Sequence, residues 1–367
     1  MLFLRLFHQT PHRHDDVHVL HDGDSNALPR HDYVHALHDD GSNALPRHDY
    51  VHALHDGDPY SQWLKAHYGE KVYKIPINAA GTCPNRDGKI GYGGCIFCGA
   101  FGGGNETLRG SINISEQLEI NKAYIGKRYH ARKFIPFLQD FSNTYLPFDQ
   151  FKKNIAACLG NDVVGIAIST RPDCVTNQQI DWLKDFKQQH HIDIVIELGL
   201  QSANAHSLQK LNRGHGLADY IDVALRIKSA GLQLCTHMIL DLPWDDDLDI
   251  IEGAKLLSVV KNDFVKCHSL YIEKGTELAK MIASKKVHLL SLETYLHRAK
   301  LFLGYLDPKI ALQRIIGRAP KRDSILTNWN TSWWKIRDRL VDEMTEVGLK
   351  QGDLLKADRE KLSDCMK

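Results

Sequence analysis

The sequence predicts an α/β protein on a parallel sheet, barrel-like or doubly wound. From about residue 59 onward, short apolar runs alternate with amphipathic segments of helical spacing. Six of those runs, between residues 72 and 272, have strand length. A glycine-rich stretch with three of the eight cysteines follows the first of them. In such sheets the chemistry gathers at the C-terminal strand ends.

The elements follow in order. VYKIPINAA (72–80) reads as a strand ending just before Cys83, and ISEQLEINKAYIGKRY (114–129) as a helix. KFIPFLQDF (133–141) is a strand, FDQFKKNIAACL (148–159) a helix and VVGIAIST (163–170) a strand. QQIDWLKDFKQQH (178–190) is helical, and IDIVIELGLQS (192–202) a strand. LADYIDVALRIKSAG (217–231) is a helix closed by its glycine. LQLCTHMILDLP (232–243) is a strand, DLDIIEGAKLLSVV (247–260) a helix and FVKCHSLYI (264–272) the sixth strand.

The 367 residues suit one large domain or two ordinary ones, and 43% hydrophobic composition supplies a substantial core. No apolar run approaches the roughly 18 residues of a membrane span. The start, MLFLRLFHQTPHRH, lacks the cleavage site of a signal peptide, so the expected location is cytoplasmic. Residues 1–58 form a low-complexity arm. HDGDSNALPRHDYVHAL (21–37) recurs as HDDGSNALPRHDYVHAL (38–54), and the arm holds 11 of the 21 histidines. It reads as a solvated, disordered segment, with weak metal binding as the other reading. The arm carries ten aspartates and four arginines, leaving 42 basic against 35 acidic residues elsewhere. That mild excess permits an anionic partner. The expected domains are the arm at 1–58, the sheet domain at 59–310 and a C-terminal extension at 311–367.

Cys83, Cys95 and Cys98 have the spacing C-x11-C-x2-C. Structural zinc takes four ligands, usually as two close pairs. A purely electron-carrying cubane takes four cysteines. Three cysteines leave one iron without a protein ligand, open to a chelating small molecule. An open cluster, zinc and unligated thiols all remain readings of the spacing, with the open cluster favoured. The glycines let the backbone wrap such a cluster closely.

The cysteine stretch resembles the radical S-adenosylmethionine (SAM) proteins. TCPNRDG (82–88), GGCIFC (93–98) and QDFSNTY (139–145) are similar to the YhcC-like (YhcC/YtqA-type) branch. STRPDC (169–174), IELGLQS (196–202), LNRGH (211–215) and THMILDLP (236–243) agree in order with that branch and with the catalytic subunit of Elongator. The resemblance implies a partial (β/α)6 TIM-like barrel with a C-terminal helical extension, a 4Fe–4S cluster and SAM. It implies that Cys83, Cys95 and Cys98 ligate three irons. Phe97 resembles an aromatic packed near the adenine, with a core aromatic as the alternative. Gln139, Ser142, Asn143 and Thr144 end the second strand, where relatives meet the SAM amino group, often through a GGE motif absent here. Ser169 and Arg171 end the third strand; Arg171 pairs either with the SAM carboxylate or in a structural salt bridge. Glu197 and Gln201 are four apart on the fourth strand and so share a face. A charge inside IVIELGL needs a partner, which the ribose hydroxyls of SAM would supply. His237 and Asp241 repeat that spacing on the fifth strand, facing substrate or SAM, or serving as hydrogen-bonded core groups.

By the same resemblance, the protein is a radical SAM enzyme that forms a 5′-deoxyadenosyl radical and needs a reductant protein of flavodoxin or ferredoxin type. The Elongator-like motifs point to the wobble uridine of tRNA. RIIGRAPKRDSILTNWNTSWWKIRDRL (314–340) sets basic residues between Trp329, Trp333 and Trp334, as base stacking or a helix covering the barrel would require. A small metabolite or a protein as substrate, and a zinc or Fe–S binding module without turnover, are the alternatives.

Overall fold

The computed structural model describes residues 59–100, 102, 107–317, 324–326 and 328–365, so the arm expected over 1–58 lies outside the described residues. The chain opens with helix α1 (Pro59–Tyr68) and strand β1 (Val72–Ile77). Then α2 (Ile114–Tyr129), β2 (Lys133–Leu138), α3 (Phe148–Ala156) and β3 (Gly165–Thr170) follow. Next come α4 (Asn177–His190), β4 (Asp193–Gln201), α5 (Ala205–Lys210), α6 (Leu217–Ser229) and β5 (Gln233–Ile239). The last part of the chain holds α7 (Asp247–Val259), β6 (Phe264–His268), β7 (Ile272–Glu273), α8 (Glu277–Ala283) and α9 (Leu292–Tyr305). It ends with β8 (Ala311–Arg314), β9 (Ser324–Leu326), α10 (Trp333–Glu346) and α11 (Asp353–Cys365).

Seven strands form one parallel sheet in the order β1-β2-β3-β4-β5-β6-β8. All six predicted strands are present, and each crossover carries a helix, as parallel pairing requires. The ends differ where local chemistry stops the ladder. The first strand stops at Ile77, before Ala80 turns to φ +53°. The sixth divides in two, because Ile272–Glu273 pairs antiparallel with β9 instead of staying in the main sheet. The helix predicted to close on glycine ends at Ser229, and Gly231 takes φ +71° as expected. The capping box of Thr176 and Gln179 starts α4, and Asp246 and Asp249 start α7 the same way.

The sheet curls into a half barrel whose inner face explains the curl. One buried cluster takes residues from every strand of the sheet: Val72, Ile135 and Phe137, Ala167, Val195, Cys235, Phe264 and Ala311. Tyr60 and Leu64 of α1 complete it. Trp63 stacks edge-on against Phe264 at 4.7 Å and Tyr60 does so at 5.4 Å. Helix α1 therefore plugs the lumen at the end where β1 begins, opposite the cysteine loop.

Strand β8 pairs with β6 through Phe264↔Ala311, Val265↔Leu312 and Lys266↔Arg314, with a bulge at the last step. This seventh strand is four residues long, too short for its pattern to stand out from the flanking apolar sequence. Outside it, α9 packs against α7, α10 and α11.

Candidate functional site

The loop after β1 carries the cysteines to the C-terminal end of the sheet. Cys95 is buried, and Cys83 and Cys98 are partly so. Two short turns set the loop: Arg86 N–H donates to Cys83 O (2.8 Å) and Cys98 N–H to Cys95 O (3.0 Å). Burial pushes the Cys98 thiol up to about 12, and the nearby Cys95 and Cys83 add to that rise. Arg86 and Arg213 oppose it. Three thiols and two guanidinium groups thus act on one another within this loop.

Arg213, from the LNRGH stretch, donates through Nη1 to Cys95 Sγ at 3.1 Å, and through Nη2 to Gly199 O at the end of β4. Asn85 Nδ2 lies 3.8 Å from the same sulfur. Asn212 Nδ2 donates to Gly94 O (2.8 Å), and Ile96 N–H to Leu211 O (3.1 Å). Arg86 closes the turn from the other side, donating to Cys98 O (3.1 Å) and Gly99 O (2.7 Å). Backbone carbonyls therefore fix two guanidinium groups and the Asn212 amide around the loop.

Gly94 is needed there twice over. Its φ is +84°, and an added Cβ would lie 2.8 Å from Arg86 Nε. Gly94→Ala is expected to cost about 1–2 kcal/mol in thermal unfolding through backbone strain. It should also lower the iron the protein retains by displacing Arg86. Wild-type iron content in the variant would show that Arg86 does not shape the loop.

The other predicted site residues surround this end of the sheet. Asn143 is buried and donates through Nδ2 to Leu138 O (2.9 Å), Asp140 O (3.0 Å) and Ser169 O (3.0 Å), tying β2 to β3. Its Oδ1 has no partner. Ser142 and Thr144 both meet the hydroxyl of Thr170, at 2.9 and 2.5 Å. Gln139 donates its backbone N–H to Ile77 O at 3.2 Å. Arg171 forms the structural salt bridge, forked onto Asp173 at 2.9 and 2.8 Å, while its Nη1 stays buried and unpartnered. Phe97 packs on an apolar cluster containing Leu211, Ile239, Leu270 and Leu278.

Glu197 is fully buried on β4, and the partners it needs are internal. One carboxylate oxygen accepts from Lys74 of β1. The other accepts from Lys266 of β6 at 2.5 Å and meets His237 Nε2 of β5 at 2.9 Å. The cations hold the Glu197 carboxyl well below the usual range despite its burial. Burial pushes His237 down to about 4 and Lys266 down to about 7. Glu197, Cys235 and His237 also have metal-ligand proximity, but both carboxylate oxygens already face ammonium groups. Gln201 reaches the same face in an unexpected way. The strand bulges between Gly199 and Gln201, where φ is +80°, and the Gln201 amide folds over Gly199. Asp241 lies beyond β5 and accepts the Leu270 N–H at 2.7 Å, a packing role, with burial raising its carboxyl to about 7.

The sequence reading named no role for Lys74, Lys266, Arg86, Arg213, Asn85 or Asp140. Asp140 is buried, bonded to Thr107 Oγ1 through Oδ2 (3.0 Å), and its Oδ1 is unpartnered. Two signals were available. Lys74 in VYKIPI and Lys266 in FVKCH are charges in mid-strand, like Glu197. Arg213 lies inside a quoted motif.

The residues present fit an iron–sulfur cluster with a chelating small molecule beside it. The donor set is three thiols with cationic hydrogen-bond donors, and the buried atoms left without partners gather at the same strand ends: Asp140 Oδ1, Asn143 Oδ1 and Arg171 Nη1. Residues 80–257 match the model of the radical SAM superfamily, and 262–346 match its C-terminal domain. The uncharacterized protein YtqA of Bacillus subtilis is 30% identical over 290 residues, 79% of this chain and 89% of that protein. Protein YhcC of Escherichia coli is 29% identical over 293 residues, 80% and 93%. A stretch of 121 residues, 32% of this chain and 21% of the relative, is 27% identical to a tRNA uridine(34) acetyltransferase of Methanocaldococcus jannaschii. The solved structure of archaeal Methanocaldococcus infernus Elp3 with an N-terminal deletion superposes with TM-score 0.58 at 16% identity, covering 76% of this chain and 64% of that one.

Proposed function

The chain belongs to the radical SAM superfamily, and from that premise we propose that Cys83, Cys95 and Cys98 ligate the cluster of an enzyme that modifies the wobble uridine of tRNA. The family's cofactors are a 4Fe–4S cluster and SAM. When bound, they supply one-electron reductive cleavage of SAM to methionine and a 5′-deoxyadenosyl radical. A reductant protein of flavodoxin or ferredoxin type provides the electron.

The observation that carries the reading is the cysteine loop itself. Three thiols lie in one loop at the C-terminal end of the sheet, with Arg213 on the sulfur of the buried one at 3.1 Å. Arg213 orients the Cys95 sulfur as an outer hydrogen-bond partner of a metal ligand does. Arg171 Nη1 offers its free donor to the SAM carboxylate, beside Ser169. Asn143 Oδ1 and Asp140 Oδ1 offer acceptors to the SAM amino group, beside Gln139. Phe97, partly exposed, presents its remaining face to the adenine. Gln201 over Gly199, with Glu197 and His237 beneath, forms the floor toward the ribose. Helix α1 excludes water from below.

Two observations support tRNA as the substrate. One is the match to a tRNA uridine(34) acetyltransferase. The other is the face of α10. Trp334 is 41% exposed with Lys335 above its ring at 5.5 Å, and Arg337 lies 5.5 Å from the Trp333 ring. Such a face stacks on unpaired bases and meets phosphate. Trp329 does the covering instead: its Nε1 donates to Leu290 O (2.7 Å) and its ring packs on Tyr295.

Anaerobic reconstitution with iron and sulfide, reduction and addition of SAM should yield 5′-deoxyadenosine. Nucleosides of tRNA from a strain lacking the gene should lack one wobble-uridine modification. Bound zinc with no iron and no product would overturn the enzyme reading in favour of a binding module. Product with unchanged tRNA nucleosides would redirect the substrate to a metabolite or a protein.

A further inference from the structure

The bulge between β6 and β8 sets Lys266 against Arg314 instead of Gln313, which places two consecutive polar residues of β8 toward the lumen. Gln313 Oε1 accepts from Lys74 Nζ at 3.2 Å. An ammonium must face the amide oxygen, so the orientation of the amide is fixed and Nε2 points away from Lys74. That Nε2 is buried without a partner, in a side chain only 7% exposed. Arg314 reaches the lumen one residue on. Its Nη2 lies 3.0 and 3.2 Å from the two ring nitrogens of His268, and its Nε is buried without a partner. His268 stacks on His237 at 5.3 Å, so Arg314 joins the same layer as Glu197.

The charges in this layer do not balance. Lys74, Lys266 and Arg314 face a single carboxylate, Glu197, which Lys74 and Lys266 already share. Among the described residues no carboxylate lies within ion-pair distance of Arg314. His268, held far below its usual value by burial and by Arg314, stays neutral and adds no charge. A half-buried guanidinium with no anion, its Nε buried and unpartnered beside an orphaned amide N–H, is costly unless a ligand supplies the acceptor.

We propose that Arg314 and Gln313, backed by Lys266, form a subsite in the barrel lumen for an anionic group of the substrate, a carboxylate or a phosphate. This rests on the reading that the lumen beneath the cysteine loop is where the substrate reacts. The planar fork of Arg314 and the amide of Gln313 are the donors, and Lys266 supplies the charge behind them. The subsite fixes one end of the substrate while the reacting carbon faces the cysteine end.

The test uses cluster-loaded protein at constant ionic strength, with chloride as the balancing ion. Acetate and inorganic phosphate are the two probes, read by calorimetry and by thermal shift. Wild type is expected to bind one of them and to gain stability from it, and the probe that binds identifies the anion as carboxylate or phosphate. Arg314→Gln should weaken that binding about 10-fold or more, the loss of a charged hydrogen bond. Arg314→Lys, which keeps the charge without the fork, should fall between. Binding should persist in saturating SAM; displacement by SAM would assign the subsite to its carboxylate and overturn the proposal. Equal binding by wild type and both variants, or no binding of either probe to wild type, would overturn it too. Formation of 5′-deoxyadenosine by the wild type is measured alongside. Anion binding without any cleavage counts against the proposed enzyme and leaves the subsite standing.

Discussion

Cys95→Ala is expected to lose its iron and to make 5′-deoxyadenosine more than about 100-fold slower, since even outer partners of a metal site cost 10–100-fold. On the proposed ligation three donors leave one iron open, and Cys174, partly buried and within electrostatic reach of Cys83, is the remaining half-exposed thiol among the described residues. Cys158, Cys235 and Cys267 are buried, their thiols pushed up by burial alone or mainly by it. Cys158 donates to Asn154 O in a helical turn, far from this chemistry in role. Cys95 differs in having a guanidinium on its sulfur. Its removal also leaves Arg213 Nη1 without an acceptor, so the loop loses a hydrogen bond as well as a ligand. Iron and acid-labile sulfide per chain, measured on Cys95→Ala and Cys158→Ala together, check this. Equal iron in the two variants would mean that the clustered cysteines are not the ligands.

Why the sheet was legible and the charge network was not follows from what a single strand carries. IVIELGL alternates with neither period, because both faces of β4 are covered, so its apolar length marks it as a buried parallel strand. The glycine after α6 is a local signal, and Gly231 takes the left-handed turn it predicts. The strand of Ala311–Arg314 is too short for pattern, and it exists because β6 offers it an edge. The three cysteines were legible as a group because one loop holds them all. Glu197 was legible as a charge needing a partner, but its partners come from β1, β5 and β6, separated from it by 123, 40 and 69 residues. Closure of the sheet, not sequence distance, brings them together. The bulge that aims Arg314 inward, and the positive φ of Gln201, are backbone events without a sequence mark of their own.

Glu197→Gln is expected to destabilise the fold by about 3–5 kcal/mol, the cost of removing one partner of a buried ion pair. The amide keeps the shape but leaves Lys74 and Lys266 facing each other with no anion between them. Both ammonium groups also lie over the Phe137 ring, at 4.3 and 4.2 Å, a contact too weak to offset the loss. Lys266→Met should cost less, because Glu197 retains Lys74 and His237. The ordering, Glu197→Gln worse than Lys266→Met, separates a charge network from mere packing, since the second substitution changes the side chain's shape more. The pH dependence has a definite sign. The Glu197 carboxyl lies well below its ordinary value of 4.5 in the folded state. Its stabilisation is therefore fully present above about 4.5 and is lost as pH falls toward the folded value. The gap between wild type and Glu197→Gln should widen as pH falls from 7 to about 5, because Lys266, at about 7 beside Glu197, takes up its proton less readily without the carboxylate. It should narrow below about 4.5 as Glu197 itself protonates. Urea unfolding of the three proteins at those pH values gives both the ordering and the narrowing. A Glu197→Gln variant as stable as wild type at pH 7 would mean that loss of the Lys266 proton or another anion, rather than this carboxylate, relieves the charge in the lumen.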